Sequence, residues 1–121
     1  MISHNPQFII TDSLAAARKE IQAIGSDPKS IDIMAPKAVF KIIKLKQVEL
    51  RDAIIIKQDM LSLGGEVAIP RDAFKLEKKP ADILIMGTIL QHRKLSEKLQ
   101  RHYPRIQEIA KELVVFIDKI T

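Results

Sequence analysis

A double glycine interrupts the clearest helical pattern of this sequence and leads directly into a strand pattern. In KQDMLSLGGEVAIP, residues 57–70, the helical spacing of apolar residues that begins near Leu50 stops at Gly64 and Gly65. Either glycine can adopt the left-handed backbone conformation that ends a helix. Residues 66–69 are predicted to be a strand, which Pro70 limits. A helix that passes at once into a strand favours a fold in which helices pack against a sheet.

Helical and strand patterns alternate along the rest of the chain as well. The predicted strands are residues 7–10, 31–34, 39–45, 66–69 and 82–86, and the predicted helices are residues 13–24, 50–63, 88–100 and 105–120. This alternation predicts an α/β fold with a small sheet, mixed or mostly parallel, that helices cover. In parallel sheets of this kind, ligands gather at the carboxyl ends of the strands.

Two segments are harder to assign. For residues 36–48, Pro36 suits the first turn of a helix, whereas VFKIIKLKQV is rich in β-branched residues and ends in lysines spaced by two. We favour a strand over residues 39–45. Residues 74–80 are predicted to be a loop or a short edge element.

Composition limits the class of protein. A chain of 121 residues with 46% hydrophobic residues is long enough for one core, so we expect a single α/β domain over residues 1–121. The absence of cysteine excludes disulfides and thiolate metal sites. The first residues do not resemble a secretory signal, and the longest apolar runs are too short to span a membrane. We therefore expect a soluble, cytoplasmic protein.

The net charge of +5 raises the hypothesis of nucleic-acid binding. Lysines and arginines are scattered along the whole chain, however, and the basic cluster KIIKLK has none of the interleaved aromatic residues on which bases stack. A basic nucleic-acid-binding protein therefore stays as the alternative function.

Familiar catalytic patterns do not occur in the sequence. His4, His92 and His102 lack the spacing of a metal-ligand set, and the double glycine lacks the further glycines and the lysine of a phosphate-binding loop. Ser62 has no obvious base. We therefore predict no catalytic residues, no metal and no cofactor, although a small enzyme that uses Lys57 as acid or base remains conceivable.

One set of polar residues and glycines is left as a candidate ligand site. It surrounds the double glycine and a second corner, Met86–Gly87–Thr88, where Gly87 leaves the backbone approachable and Thr88 can cap a helix or donate to an anion. The alternative interpretation is that the glycines and Thr88 only cap helices and that the polar side chains are solvated. The candidate residues are Lys57, Gln58, Gly64, Gly65, Arg71, Gly87, Thr88 and Gln91.

The last predicted helix, residues 105–120, carries a broad apolar stripe. Ile106, Ile109, Leu113 and Phe116 recur at helical spacing, and neighbouring valines widen the stripe beyond what one core contact needs. This width predicts an interface helix, which would hold a second copy of the chain or another subunit.

Three stretches resemble, in order and spacing, the N-terminal extension of a subset of dihydropteroate synthases, found mostly in archaea and some anaerobic bacteria. They are IMAPKAVFKIIKL, IIIKQDMLSLGGEVAIPR and ADILIMGTILQHRKLSEKL, and the resemblance covers residues from about 9 to about 113. The Lys-Gln, Met-Leu-Ser, Gly-Gly and Met-Gly-Thr matches coincide with the candidate site. The family has Gln-Tyr where this chain has Gln91 and His92, so the rim of the site differs.

The resemblance implies a role in pterin and folate biosynthesis without the chemistry itself. In such synthases the catalytic residues belong to a (β/α)₈ barrel of over two hundred residues downstream of the extension, and the pterin motif of that barrel is missing from this sequence. We therefore expect a non-catalytic accessory domain, whether a separate subunit, a fragment or a free-standing relative. The expected partners are a synthase barrel subunit and a pterin-like or anionic small molecule. A shared site further requires that the two glycine corners lie side by side and frame one concavity.

Overall fold

The computed structural model describes residues 2–71 and 79–121. The N-terminal helices are short, and a 3₁₀ turn at Ala35–Lys37 leads into the sheet. The elements are α1 (Leu14–Ala23), α2 (Pro28–Met34), β1 (Phe40–Val48), α3 (Leu50–Ser62), β2 (Glu66–Ala68), β3 (Ala81–Thr88), α4 (Ile89–Leu99) and α5 (Pro104–Ile120).

The three strands form one sheet with β3 in the centre, in the order β1-β3-β2. Ile85 of β3 pairs with Ile43 on one side and with Val67 on the other, and both pairings are antiparallel. The predicted α/β class is therefore confirmed, while neighbouring strands run in opposite directions rather than parallel. Because adjacent strands end at opposite edges, the sheet has no common carboxyl edge at which a ligand would be expected.

Helices cover one face of this sheet and bury an aliphatic core against it. Ile43, Val67, Ile83 and Ile85 point from the strands into the core and are 3% exposed or less. Helices α3 and α4 supply the opposing layer, and α5 packs on α4. The fully buried side chains of these three helices include Ile56, Met60, Ile89, Leu95, Leu99, Ile106 and Leu113.

The opposite face of the sheet carries apolar side chains that remain exposed. Phe40 and Ile42 of β1 are 58% and 60% exposed, and Leu84 of β3 is 37% exposed. In the register of the sheet, Ile42 lies opposite Met86, which in turn pairs with Glu66 of β2, and Leu84 pairs with Ala68. We call the apolar residues Phe40, Ile42, Ala68, Leu84 and Met86 the outer sheet face.

Two predicted strands are wrong. Residues 31–34 belong to α2, because Asp27 caps that helix by accepting from the Lys29 amide and Pro28 occupies its first turn. Residues 7–10 have no regular structure and are exposed, since no strand pairs with them.

The other predicted elements are confirmed, with ends shifted by up to three residues. The ambiguous segment is a strand at Phe40–Val48, in which Lys44 alternates with buried Ile43. The prediction for residues 74–80 falls largely on residues outside the described ranges. Among the described residues, no helix is long and apolar enough to cross a membrane.

Candidate functional site

The two glycine corners lie side by side, as the sequence analysis required of a shared site. Gln91 of α4 joins them, because its Nε2 donates to the Leu63 carbonyl over 3.2 Å and its Oε1 accepts from the Thr88 amide over 2.8 Å. The Thr88 hydroxyl oxygen completes a capping box by accepting from the backbone N–H of Gln91. Beside this link, Glu66 of β2 pairs with Met86 of β3.

Met60 fills the space between the two corners. A Cβ atom added to Gly65 would lie 2.8 Å from the Met60 sulfur, and one added to Gly87 would lie 2.5 Å from Met60 Cε. Met60 itself is fully buried. Gly64 has a φ of +90°, which suits glycine at the end of α3. These glycines therefore have structural roles, and the ligand site cannot lie directly between the corners.

A concavity of about 480 Å³ opens beside the corners. It lies where the end of α3 meets the first turns of α4, and polar and apolar groups line it in comparable amounts. The lining residues are Lys37, Ser62, Leu63, Thr88, Leu90, Gln91 and Lys94. Its size falls within the range of small-molecule sites, which is about 300–1,000 Å³.

The structure brings together only part of the predicted residue set. Thr88 and Gln91 line the concavity, and the three glycines stand behind them at the two corners. Lys57 is not part of its lining, because Lys57 Nζ donates to Glu66 Oε1 over 2.9 Å and to the Val67 carbonyl over 2.8 Å. Gln58 and Arg71 are exposed and are absent from the lining.

Lys57 closes part of the free edge of β2. The Val67 carbonyl lies on a strand whose other side pairs with β3, so the ammonium group occupies an acceptor that a further strand would otherwise use. This edge contact gives Lys57 a structural role at this position.

Two lysines of the concavity were missed by the sequence analysis. Lys37 comes from the 3₁₀ turn and Lys94 from α4, and Lys98 lies near enough to donate to the Ser62 hydroxyl. Gln91, Lys94 and Lys98 follow each other at spacings of three and four residues, so this stripe could have been found from helical periodicity. Lys37 gave no such signal. With no carboxylate in the lining, the concavity favours an anion.

His92 lies beneath the site and is only 1% exposed. Its Nε2 lies 2.8 Å from the Lys41 carbonyl, which links α4 to β1, while Nδ1 has no hydrogen-bond partner among the described residues. Burial lowers the pKa of His92, although the hydrogen bond to the Lys41 carbonyl opposes this effect. His92 is therefore neutral in the folded protein near pH 7 and holds two elements together.

A second polar cluster joins α3 to the start of α5. Asp52 is 1% exposed and accepts hydrogen bonds from Tyr103 and from both Nε and an Nη of Arg105. The Arg105 guanidinium also lies over the Tyr103 ring and 3.2 Å from Glu49. Burial raises the pKa of Asp52, but the hydrogen bonds from Arg105 and Tyr103 outweigh it and leave the pKa below its ordinary value. This cluster was not predicted from the sequence. Its hydrogen bonds hold α3 against the start of α5, which is a structural role.

Comparisons with known proteins place the chain beside two bifunctional proteins. It is 26% identical over 98 residues to the bifunctional dihydropteroate synthase/dihydropteroate reductase of Helicobacter pylori, covering 81% of this chain and 26% of that protein. It is 29% identical over 102 residues to the probable bifunctional folylpolyglutamate synthase/dihydropteroate synthase of Halobacterium salinarum, covering 84% of this chain and 12% of that protein. No family model and no solved structure matches the chain.

The chain thus corresponds to a minor part of each relative, about a quarter of one and an eighth of the other. Dihydropteroate synthase is the activity that both names share, whereas the second activity differs. The chain is therefore related to proteins of dihydropteroate synthesis.

Proposed function

We propose that this chain is a non-catalytic accessory domain of dihydropteroate synthesis, which docks onto a dihydropteroate synthase barrel. One observation carries the proposal: two relatives with different second activities share with this chain a region of about 100 residues and share with each other only the synthase in their names. A region that accompanies the synthase in both proteins is best explained as serving the synthase.

The candidate site favours a binding role over catalysis. The side-chain amide of Gln91 is hydrogen-bonded to Thr88 and Leu63, and Lys57 is paired with Glu66, so both side chains make contacts within the fold. Nor does any group of three or more histidine, aspartate or glutamate side chains suited to a metal occur in the described parts of the chain.

The concavity beside the glycine corners is the proposed binding place for a polar or anionic small molecule. Lys37 and Lys94 would supply positive charge, and the Thr88 hydroxyl would supply a neutral hydrogen bond.

Ligand binding is tested by a thermal-shift panel of pterins, p-aminobenzoate, inorganic phosphate and nucleotides on the purified chain. We expect at least one anionic member to raise the melting temperature in a saturable manner, and Lys94→Gln to abolish that shift. Lys111→Gln on α5 is the matched control, because that exposed lysine lies outside the concavity. Stabilisation by none of the compounds contradicts a ligand site here.

Docking is tested separately by sedimentation velocity of the chain mixed with the full-length dihydropteroate synthase of the same organism. The weight-average sedimentation coefficient of the 13.7-kDa chain should rise progressively with the concentration of synthase, as for a weak complex in rapid exchange. This experiment does not depend on the ligand, so docking and ligand binding can fail independently.

A further inference from the structure

We propose that the outer sheet face is the surface through which the domain docks onto the synthase. This inference rests on the proposed function and adds the surface and the chemistry of its partner. It begins from the fact that the described helices pack on the other face of the sheet and leave this one open.

The centre of the outer sheet face is apolar and formed by neighbouring strands. Ile42 and Met86 are direct cross-strand partners. Leu84 lies two residues before Met86, on the same side of β3. Because a sheet normally buries its apolar faces against another layer, exposed isoleucine and phenylalanine at such positions mark a contact surface. The missing layer belongs to a partner.

Charges at the margins of the face define what that partner presents. Lys44 pairs across the strands with Leu84 and lies 3.8 Å from Asp82, whereas Glu66 stands at the opposite edge, held by Lys57. The partner surface should therefore be flat and apolar at its centre, with polar groups at its margins beside the Lys44–Asp82 and Lys57–Glu66 ion pairs. The outer helices of a barrel can offer such a surface, because they form a continuous ring around it.

The size of the face favours a linked partner over a second copy. The strands of nine, three and eight residues, at about 3.3 Å per residue and about 4.8 Å apart, give a footprint of roughly 300 Å². A stable complex of separate proteins needs about 800 Å² per partner, whereas interfaces between domains of one chain need only about 300–750 Å² per side. In both relatives the matched region lies within a longer protein that carries the synthase name. The footprint thus fits a domain that meets its synthase at high effective concentration.

The test is a methyl NMR titration of the full chain with the full-length synthase of the same organism, carried to about 1 mM synthase, the effective concentration that a short linker supplies. We expect shift changes or broadening at the methyl groups of Ile42, Leu84 and Met86. Ile42→Glu should weaken binding about tenfold or more, because a carboxylate would then have to be desolvated in an apolar contact. Ile33→Glu on α2 is the matched control, since Ile33 is 62% exposed and Ile42 60%.

The outcomes separate this inference from the proposed function. Binding that Ile42→Glu leaves intact, or shift changes confined to α5, would overturn the inference while the docking function stands. Concentration-dependent shifts of the outer sheet face without synthase would assign the face to a second copy and overturn it too. Absence of any change up to the highest synthase concentration would contradict the docking function itself.

Discussion

Gln91 donates from its side-chain amide to the Leu63 carbonyl, 28 residues earlier in the chain, and thereby ties the start of α4 to the end of α3. The same side chain accepts from the Thr88 amide. One residue thus holds together the two corners that border the concavity, and the shape of the candidate site depends on it.

Gln91→Ala should lower the free energy of unfolding by about 1–2 kcal/mol, because the half-buried Leu63 carbonyl and Thr88 amide lose their partners. Urea denaturation measures this change. Gln58→Ala is the control, since Gln58 is exposed on α3 and its loss should cost about 0.5 kcal/mol or less. Equal effects of the two substitutions would show that the tie does not exist.

Gly87→Ala should destabilise the protein by about 1–3 kcal/mol through crowding. Its Cβ would lie 2.5 Å from Met60 Cε and 2.9 Å from Gln91 Oε1. In a Met60→Ala background the cost should fall markedly, because the main obstacle has been removed. A double-mutant cycle by urea denaturation measures the coupling, and additive effects would exclude Met60 as the reason for glycine at this position.

The buried imidazole of His92 should make stability depend on pH just below neutrality. Because burial lowers the pKa of His92 in the folded protein, the unfolded chain takes up a proton first as the pH falls below about 6.5. The contribution is fully present above that pH and is lost progressively down to the folded pKa. NMR titration of the ring should give a pKa below 6.5 in the folded state. A pKa above 6.5 would contradict the buried, neutral state.

Asp52→Asn should cost about 2 kcal/mol, because a buried carboxylate loses charge-assisted hydrogen bonds from Arg105 and Tyr103. The folded pKa of Asp52 is lowered, so its contribution is present above the unfolded pKa of about 3.9 and is lost as the pH falls through the folded value. Urea denaturation between pH 5 and pH 2 should therefore show that the free energy of unfolding falls less steeply with pH for Asp52→Asn than for the native chain. An identical pH dependence of the free energy of unfolding in the two proteins would mean that Arg105 does not hold the Asp52 carboxylate.

Local sequence patterns predicted the helices that begin with a capping residue and the strands in which polar and apolar residues alternate. Thr88 caps α4 as predicted, Ser13 caps α1 in the same way, and lysines alternate with apolar residues along β1. Residues 31–34 look like a strand by composition, but the Asp27–Pro28 start signal decided in favour of a helix. Strand direction depends on pairing, which no local pattern contains, so the antiparallel sheet could not be read from the sequence.

The candidate site was predictable only in outline. The glycines and Thr88 predicted the two corners. That Met60 fills the space between them could not be predicted, because it depends on tertiary distances of a few ångströms. The pairing of Lys57 with Glu66, nine residues away across the turn, could not be predicted from the sequence. The tie between Asp52 and Arg105 spans 53 residues and left no pattern at all.

The central claim is that the chain docks onto a dihydropteroate synthase. Isothermal titration calorimetry of the chain into the full-length synthase of the same organism tests this claim most directly. We predict saturable binding with one domain per synthase subunit, and a negative heat-capacity change from the burial of apolar surface. Heats that never rise above dilution at any temperature, at concentrations up to about 1 mM, would contradict the account.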